Sequence, residues 1–271
     1  MRKIFRLQES AIKNREVIKV FARREMETKY KGSLLGTSWA LINPIIMLTI
    51  YTVIFSKVFQ AKWGTSYMND NSPIEFAINL FAGLIIFNMF ADCASKAHGL
   101  ILNNPNLVKK IVFPLEVLSI STVIGSLLNA SINSIILLIL IGFTKGGIHS
   151  TVLLYPMIYV PFIFEMIGLT LLISTFAVFV RDIGQIMGSI ISLMMFASPV
   201  FYPGEALPQS IRWIADVNPI AITISQSREL LIGGSIPSIS NYILQTLLAL
   251  AWCEIAYRLT KKYQHRLGDW V

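Results

Sequence analysis

Charge is the scarcest property of this 271-residue chain: Asp, Glu, Lys and Arg together supply 14% of it, where a soluble domain carries about a quarter. That shortage excludes an ordinary water-exposed globular domain. Cysteine is nearly absent, and the two that occur, Cys93 and Cys253, fall inside apolar stretches. A disulfide framework is thereby excluded, and both read as packing residues. There is no Gly-x-x-x-x-Gly-Lys-Ser/Thr phosphate loop and no Gly-Lys dipeptide at all, so the chain does not hydrolyse ATP alone. It is expected to be no enzyme and to bind no metal or cofactor itself. The Arg- and Lys-dense start lacks the apolar block of a signal peptide and is expected to stay in the cytoplasm.

What is present is apolar. Hydrophobic residues make up 54% of the chain, and mean hydropathy is +0.63. Stretches at 38–59, 76–98, 115–143, 152–180, 183–200 and 242–259 approach or exceed the roughly 20 residues that cross a bilayer. The pattern predicts an all-α integral membrane protein with six transmembrane helices. An even number of crossings puts both termini on one side. Most of the 23 basic residues gather there, from Arg2 to Lys31, at Lys96, Lys109, Lys110 and Arg181, and from Arg258 to Arg266. By the positive-inside rule that side is the cytoplasm. The net charge of +8 is therefore a topology signal, and no nucleic-acid partner is expected.

Segment 201–234 alternates apolar residues with Pro203, Glu205, Pro208, Arg212, Asp216 and Pro219. Proline prevents one continuous helix. The segment reads as re-entrant extracytoplasmic helices packed against protein, or alternatively as a surface loop lying on the membrane. Ahead of the first span, segment 11–31 reads as an amphipathic interface helix: Val17, Ile18, Phe21, Ala22, Met26 and Tyr30 recur at helical steps, with Glu16, Lys19, Arg23 and Glu27 opposite. Such a helix anchors to anionic lipid or docks a cytoplasmic partner, and composition does not separate the two.

At the junction of this helix with the first span, Arg24, Glu25, Thr28, Lys29, Tyr30 and Lys31 lead into Leu35, Gly36, Trp39, Ala40, Pro44, Tyr51, Thr52, Phe55 and Ser56. The run resembles the opening signature of the permease subunits of polysaccharide ABC exporters, the ABC-2 group that includes O-antigen, capsule and teichoic acid permeases. Phe179, Arg181, Asp182, Ile183 and Ile186, then Ser198, Pro199, Val200 and Tyr202, then Asn218, Pro219, Ile224 and Arg228, resemble later elements of that family in the same order.

The resemblance implies a single ABC-2 type transmembrane domain over 1–271 in the bacterial inner membrane. It implies a homodimer working with two copies of a cytoplasmic ABC ATPase subunit, which uses ATP and Mg2+, to move a lipid-linked polysaccharide, O-antigen foremost. The ATPase would couple through Val17, Phe21 and Arg24 and through a short helix in the loop carrying Asn104, Pro105, Asn106, Lys109 and Lys110. Trp39, Tyr51, Phe55 and Phe59, with Phe196, Phe201 and Tyr202, would line the channel; the ordinary roles of interface anchoring and lipid packing compete for the same residues. Glu205, Arg212 and Trp213 would form an extracytoplasmic gate.

Charges within spans carry further expectations, because an intramembrane ionisable group usually faces protein or water. Asp92 and Lys96 have the spacing of a helix ion pair, with His98 beyond. Glu116 is placed to snorkel to the interface. Glu165, mid-span beyond Pro156 and Pro161, reads as a structural hydrogen-bonding partner of a neighbouring helix, or as the relay of a proton-coupled carrier. Asn129, Asn133 and Ser126 could bond helices together, and Gly184 and Gly188 allow close approach. An ABC-2 exporter of a lipid or drug, and a secondary carrier using Glu165 or Asp92, are the alternative functions.

Overall fold

The computed structural model describes residues 6–30, 32–54, 73–109, 113–145 and 149–270, and among them the regular structure is entirely helical. Two N-terminal helices, α1 (Arg6–Lys13) and α2 (Arg15–Tyr30), precede α3 (Trp39–Val53) and α4 (Pro73–Ala97). The short helices α5 (Gly99–Leu102) and α6 (Pro105–Val108) lead to α7 (Glu116–Lys145). A 3-10 segment, Ser150–Ile158, enters α8 (Tyr159–Phe179), and α9 (Ile183–Ala197) follows. The chain closes with α10 (Gln209–Val217), α11 (Pro219–Arg228) and α12 (Ile239–Trp270).

Among the described residues, four stretches are long and apolar enough to cross a membrane: Ile74–Ala97, Glu116–Thr144, Ser150–Phe179 and Ile239–Gln264. The expected first and fifth spans are shorter: Trp39–Val53 and Ile183–Ala197 have 15 residues each, about 22 Å at 1.5 Å per residue. Positions 55–59 of the expected first span lie outside the described residues. α9 stops before its expected end because Ser198 turns extended ahead of Pro199. The last helix, Ile239–Trp270, begins just ahead of 242–259 and runs well past its end. The single helix expected over 11–31 is two, divided at Asn14, whose side-chain amide donates to the Ser10 carbonyl.

α4 lies at the centre, buried along most of its length and packed by α3, α7, α8, α9 and α11. α8 and α12 run against each other along their lengths. Their approach is close because α8 carries Gly168, where a Cβ would sit 2.5 Å from the Trp252 ring. Lower down, the hydroxyls of Thr175 and Thr260 meet at 2.8 Å, giving the pair a polar tie of the kind that fixes helix pairs in lipid. Pro156 inside the 3-10 segment explains why α8 begins only at Tyr159.

Both termini of the described chain share one end of the bundle, where Ile101, Leu115, Val178 and Leu267 form a small apolar cluster. The opposite, far end holds the 3-10 segment, α10 and the turn after α11, as the bond from Thr151 Oγ1 to the Leu230 carbonyl shows. Each proline of segment 201–234 sits at a helix start: Pro203 and Pro208 precede helical turns and Pro219 opens α11. α11 is not a surface loop, since Ile220, Ala221, Thr223 and Ile224 are buried and the helix packs on α4. Gly234 ends the segment in the left-handed region at φ +63°, as glycine tolerates.

One side chain binds this end together. Arg228 donates from Nε to the Asn79 carbonyl at 3.1 Å, from Nη1 to Pro199 at 2.6 Å and from Nη2 to Val200 at 2.9 Å. Asn218 supports the same loop, donating to Ser198 Oγ at 2.9 Å while its Oδ1 caps α11 by accepting from the Ile220 amide. Room for the guanidinium comes from Gly83 on α4, where a Cβ would stand 2.7 Å from Nη2.

Arg228→Met is expected to strand these carbonyls at about 1–3 kcal/mol each and to lower the thermal midpoint of the purified protein in detergent. Gly83→Val should lower it as well, by displacing the same guanidinium. A midpoint unchanged in both variants would show that the three carbonyls do not depend on Arg228.

Candidate coupling surface and transport route

The N-terminal helices lie on the bundle through an apolar strip: Leu7, Ile18 and Ala22 are buried, and the Phe21 ring meets Phe113 at 5.9 Å. Val17, expected on the inner face, is exposed. The position continuing the strip is Glu25, three residues after Ala22 and seven after Ile18. Its Oε1 lies 2.7 Å from Lys96 Nζ, and Lys96 is also 3.0 Å from Asp92 Oδ2. Asp92 accepts a further bond from the Ser126 hydroxyl. The expected Asp92–Lys96 pair is thus the middle of a network joining α2, α4 and α7. Gly125 on α7 makes room for it, since a Cβ there would stand 2.9 Å from Glu25 Cγ.

A second node joins α1, α7 and α12. Glu116, expected to snorkel outwards, is instead fully buried: its Oε2 pairs with Lys261 Nζ at 3.1 Å and its Oε1 accepts from the Ser10 hydroxyl. The reason is local: α1 and the extended C-terminal part of α12 cover the start of α7, and Lys261 reaches the carboxylate there. Counting charge only within spans finds Asp92 with Lys96 but misses Glu25 at the first node and Lys261 at the second. The helical spacing of Glu25 from Ile18 and Ala22 was the available signal for the first.

Between α2, the α4–α6 turn and α7 lies a groove of about 320 Å³, lined by Phe21, Arg24, Glu25, Lys96, Leu100 and Asn104 among others. Phe21, Arg24 and Asn104 of the expected coupling set therefore share one groove. Asn104 directs its side-chain amide to the Leu100 carbonyl at 2.9 Å, and Pro105 opens α6, the expected short helix. Asn106 and Lys109 are exposed beside it, and Lys110 lies outside the described residues.

Of the residues expected to line a channel, Trp39 and Tyr51 are half-buried on α3, and the Tyr51 ring meets Phe201 edge-on at 6.2 Å. Phe196 is exposed, with its carbonyl accepting from the Tyr202 hydroxyl. Phe55 and Phe59 lie outside the described residues. No described residue of α3 is fully buried and on α9 only Met187 is, so both helices present apolar faces away from the bundle. Among the expected gate residues, Glu205 lies in the Gly204–Ala206 turn, Arg212 donates to the Leu207 carbonyl at 3.4 Å, and Trp213 is exposed. Arg212 faces a groove between α8, α10, α11 and α12, and Trp213 faces outward.

That groove, of about 1270 Å³, has Glu165 in its wall. Gln245 of α12 donates to Glu165 Oε1 at 3.4 Å and to Thr223 Oγ1 at 3.2 Å, while accepting from Gln226 at 3.0 Å. The expected bond from Glu165 to a neighbouring helix is present. Asn129 donates to the Gly125 carbonyl of its own helix, and Gly184 faces the His98 ring.

Long apolar helices around a buried centre, with charge collected at one end, define an integral membrane protein of the all-helical class. Within that class the chain belongs to the ABC-2 type transporter family, whose model matches residues 16–232. An O-antigen export system permease protein of Klebsiella pneumoniae is 27% identical over 91% of this chain and 94% of its own length. The corresponding Myxococcus xanthus permease is 27% identical over 74% of this chain and 73% of its own. A capsule polysaccharide export inner-membrane protein of Neisseria meningitidis is 24% identical, covering 92% of each.

Lys261→Met is expected to leave the Glu116 carboxylate buried without its cation, at about 3–5 kcal/mol, whereas Lys261→Met combined with Glu116→Gln should recover part of that loss. Thermal unfolding of the single and double variants measures the coupling, and strictly additive shifts would remove Lys261 as the stabilising partner of Glu116.

Proposed function

We propose that this chain is the channel-forming permease subunit of an ATP-driven exporter that moves a lipid-linked polysaccharide, most closely O-antigen, across the bacterial inner membrane. The observation that carries this reading is similarity to O-antigen export permeases over nearly the whole of both chains, joined by a capsule exporter over a similar span. In this reading the ATPase resides on a separate subunit that uses ATP and Mg2+, in keeping with the lack of a phosphate loop here.

In this reading α3 and α9 complete six crossings, both termini are cytoplasmic, and 1–271 is one transmembrane domain. The basic residues at the terminal end support that orientation. Segment 201–234 is re-entrant, its buried α11 supporting insertion. Two copies meet through the apolar faces of α3 and α9, with aromatics from Trp39 to Phe59 and from Phe196 to Tyr202 offering flat surfaces to passing sugars. Glu205, Arg212 and Trp213 border the exit. The ATPase docks at Val17, Phe21 and Arg24 and along 104–110, and its motion enters through the groove those elements share.

Depleting the protein in its native cell and quantifying lipid-linked glycan on each side of the inner membrane tests the substrate. Finished glycan should accumulate inside. An unchanged distribution would sink the polysaccharide reading and favour export of a lipid or drug. For coupling, the exposed apolar residues Val17 and Val20 of α2 are the probes: Val17→Asp with Val20→Asp should abolish co-purification of the ATPase while leaving the thermal midpoint within a few degrees. Retained ATPase would move the docking surface elsewhere.

A further inference from the structure

The groove beside α12 has an unusual floor. Glu165 and Gln226 are both more than nine-tenths buried, and Glu165 Oε2 and Gln226 Oε1 have no hydrogen-bond partner among the described residues. Gln245 cannot serve them, because its amide is committed: Nε2 to Glu165 Oε1 and Thr223, Oε1 to Gln226. The floor therefore presents two unmet acceptor oxygens, Glu165 Oε2 and Gln226 Oε1. A buried acceptor left unmet costs free energy, so a ligand that fits here brings donors.

The walls say what carries those donors. Leu244, Leu248 and Trp252 line the same groove and are exposed on the flank of α12, within the apolar stretch Ile239–Gln264. The opening thus faces sideways, at the depth of hydrocarbon rather than of water. Gln245 lies six residues into α12, about 9 Å along the helix from the far end, so a polar head could reach the floor from the interface while its chain lies along the leucines. Adjacent hydroxyls on one head group can donate to both oxygens.

We infer that this groove is a lateral binding site for a lipid-borne polyhydroxyl head group, held by Glu165 Oε2 and Gln226 Oε1 with its chain against Leu244, Leu248 and Trp252. A glycolipid sugar and a glycerol head group share that chemistry. The site does not rest on the polysaccharide reading: binding is read on purified protein, so it stands or fails separately from glycan accumulation in cells.

The test uses the full-length chain in phosphatidylcholine nanodiscs with three diazirine probes: an alkyl maltoside, a phosphatidylglycerol and an alkyl phosphocholine without hydroxyls. Peptide mapping after photolysis should place hydroxyl-dependent labelling at Leu244, Leu248 or Trp252, competed by unlabelled alkyl maltoside. Glu165→Leu and Gln226→Leu should each weaken it roughly tenfold, the loss of one such bond, while Glu165→Gln, which keeps an acceptor, retains most of it. Labelling by maltoside alone identifies a sugar, and by phosphatidylglycerol alone a lipid head group; either supports the site. Equal labelling by the phosphocholine probe, or labelling outside the groove, overturns it. That comparison on the unaltered protein decides the matter even where a variant fails to fold.

Discussion

The far end of the bundle depends on one guanidinium. Arg228 brings three donors to carbonyls on two separate pieces of chain, Asn79 on α4 and Pro199 and Val200 after α9. A helix that stops inside a membrane protein exposes carbonyls, and water is not at hand to meet them. Arg228 and Asn218 do that work, and in doing so they join the end of α9 to the buried helix α11. The planar fork matters, because a point charge could not serve three fixed carbonyls in this geometry. Gly83 belongs to the same constraint, since its missing side chain is the space the fork occupies.

At the other end the organising interactions are ionic and partly shielded. Glu25, Lys96 and Asp92 join an N-terminal helix to the central helix, and Glu116 with Lys261 joins the first residues of α7 to the end of α12. Exposed pairs on α2, such as Arg23 with Glu27, contribute little by comparison. The shielded nodes give the N-terminal helices a defined seat, which an amphipathic helix resting only on lipid would lack.

Much of the fold was legible in the sequence for simple reasons. Long apolar runs, a helical stripe before them and prolines at the starts of helical turns all act locally, so α2, α4, α7, α8 and α12 were found near their places. Helix ends were less legible: the stop of α9 depends on what Arg228 and Asn218 do to the chain after it, and the length of α12 on its partners at the terminal end. The sites divide in the same way. Asp92 with Lys96 was visible because a pair four residues apart needs only a helix. Glu116 was misjudged because its cation lies 145 positions away in the chain, and no local pattern records that distance. Glu165 was visible as an oddity, but its neighbours Gln226 and Gln245 carry no charge to draw notice.

The α8 and α12 pair, drawn together at Gly168 and tied through Thr175 and Thr260, has a mechanical meaning. Two helices seated that closely resist sliding, because any shift drives the Trp252 ring into backbone. α3 and α9 are seated much more lightly, with almost none of their residues sealed inside, and displacement costs them less. The molecule is therefore built like a hinge plate with two free leaves. Of the two kinds of element, α3 and α9 are the ones that yield while the α8–α12 frame holds its shape.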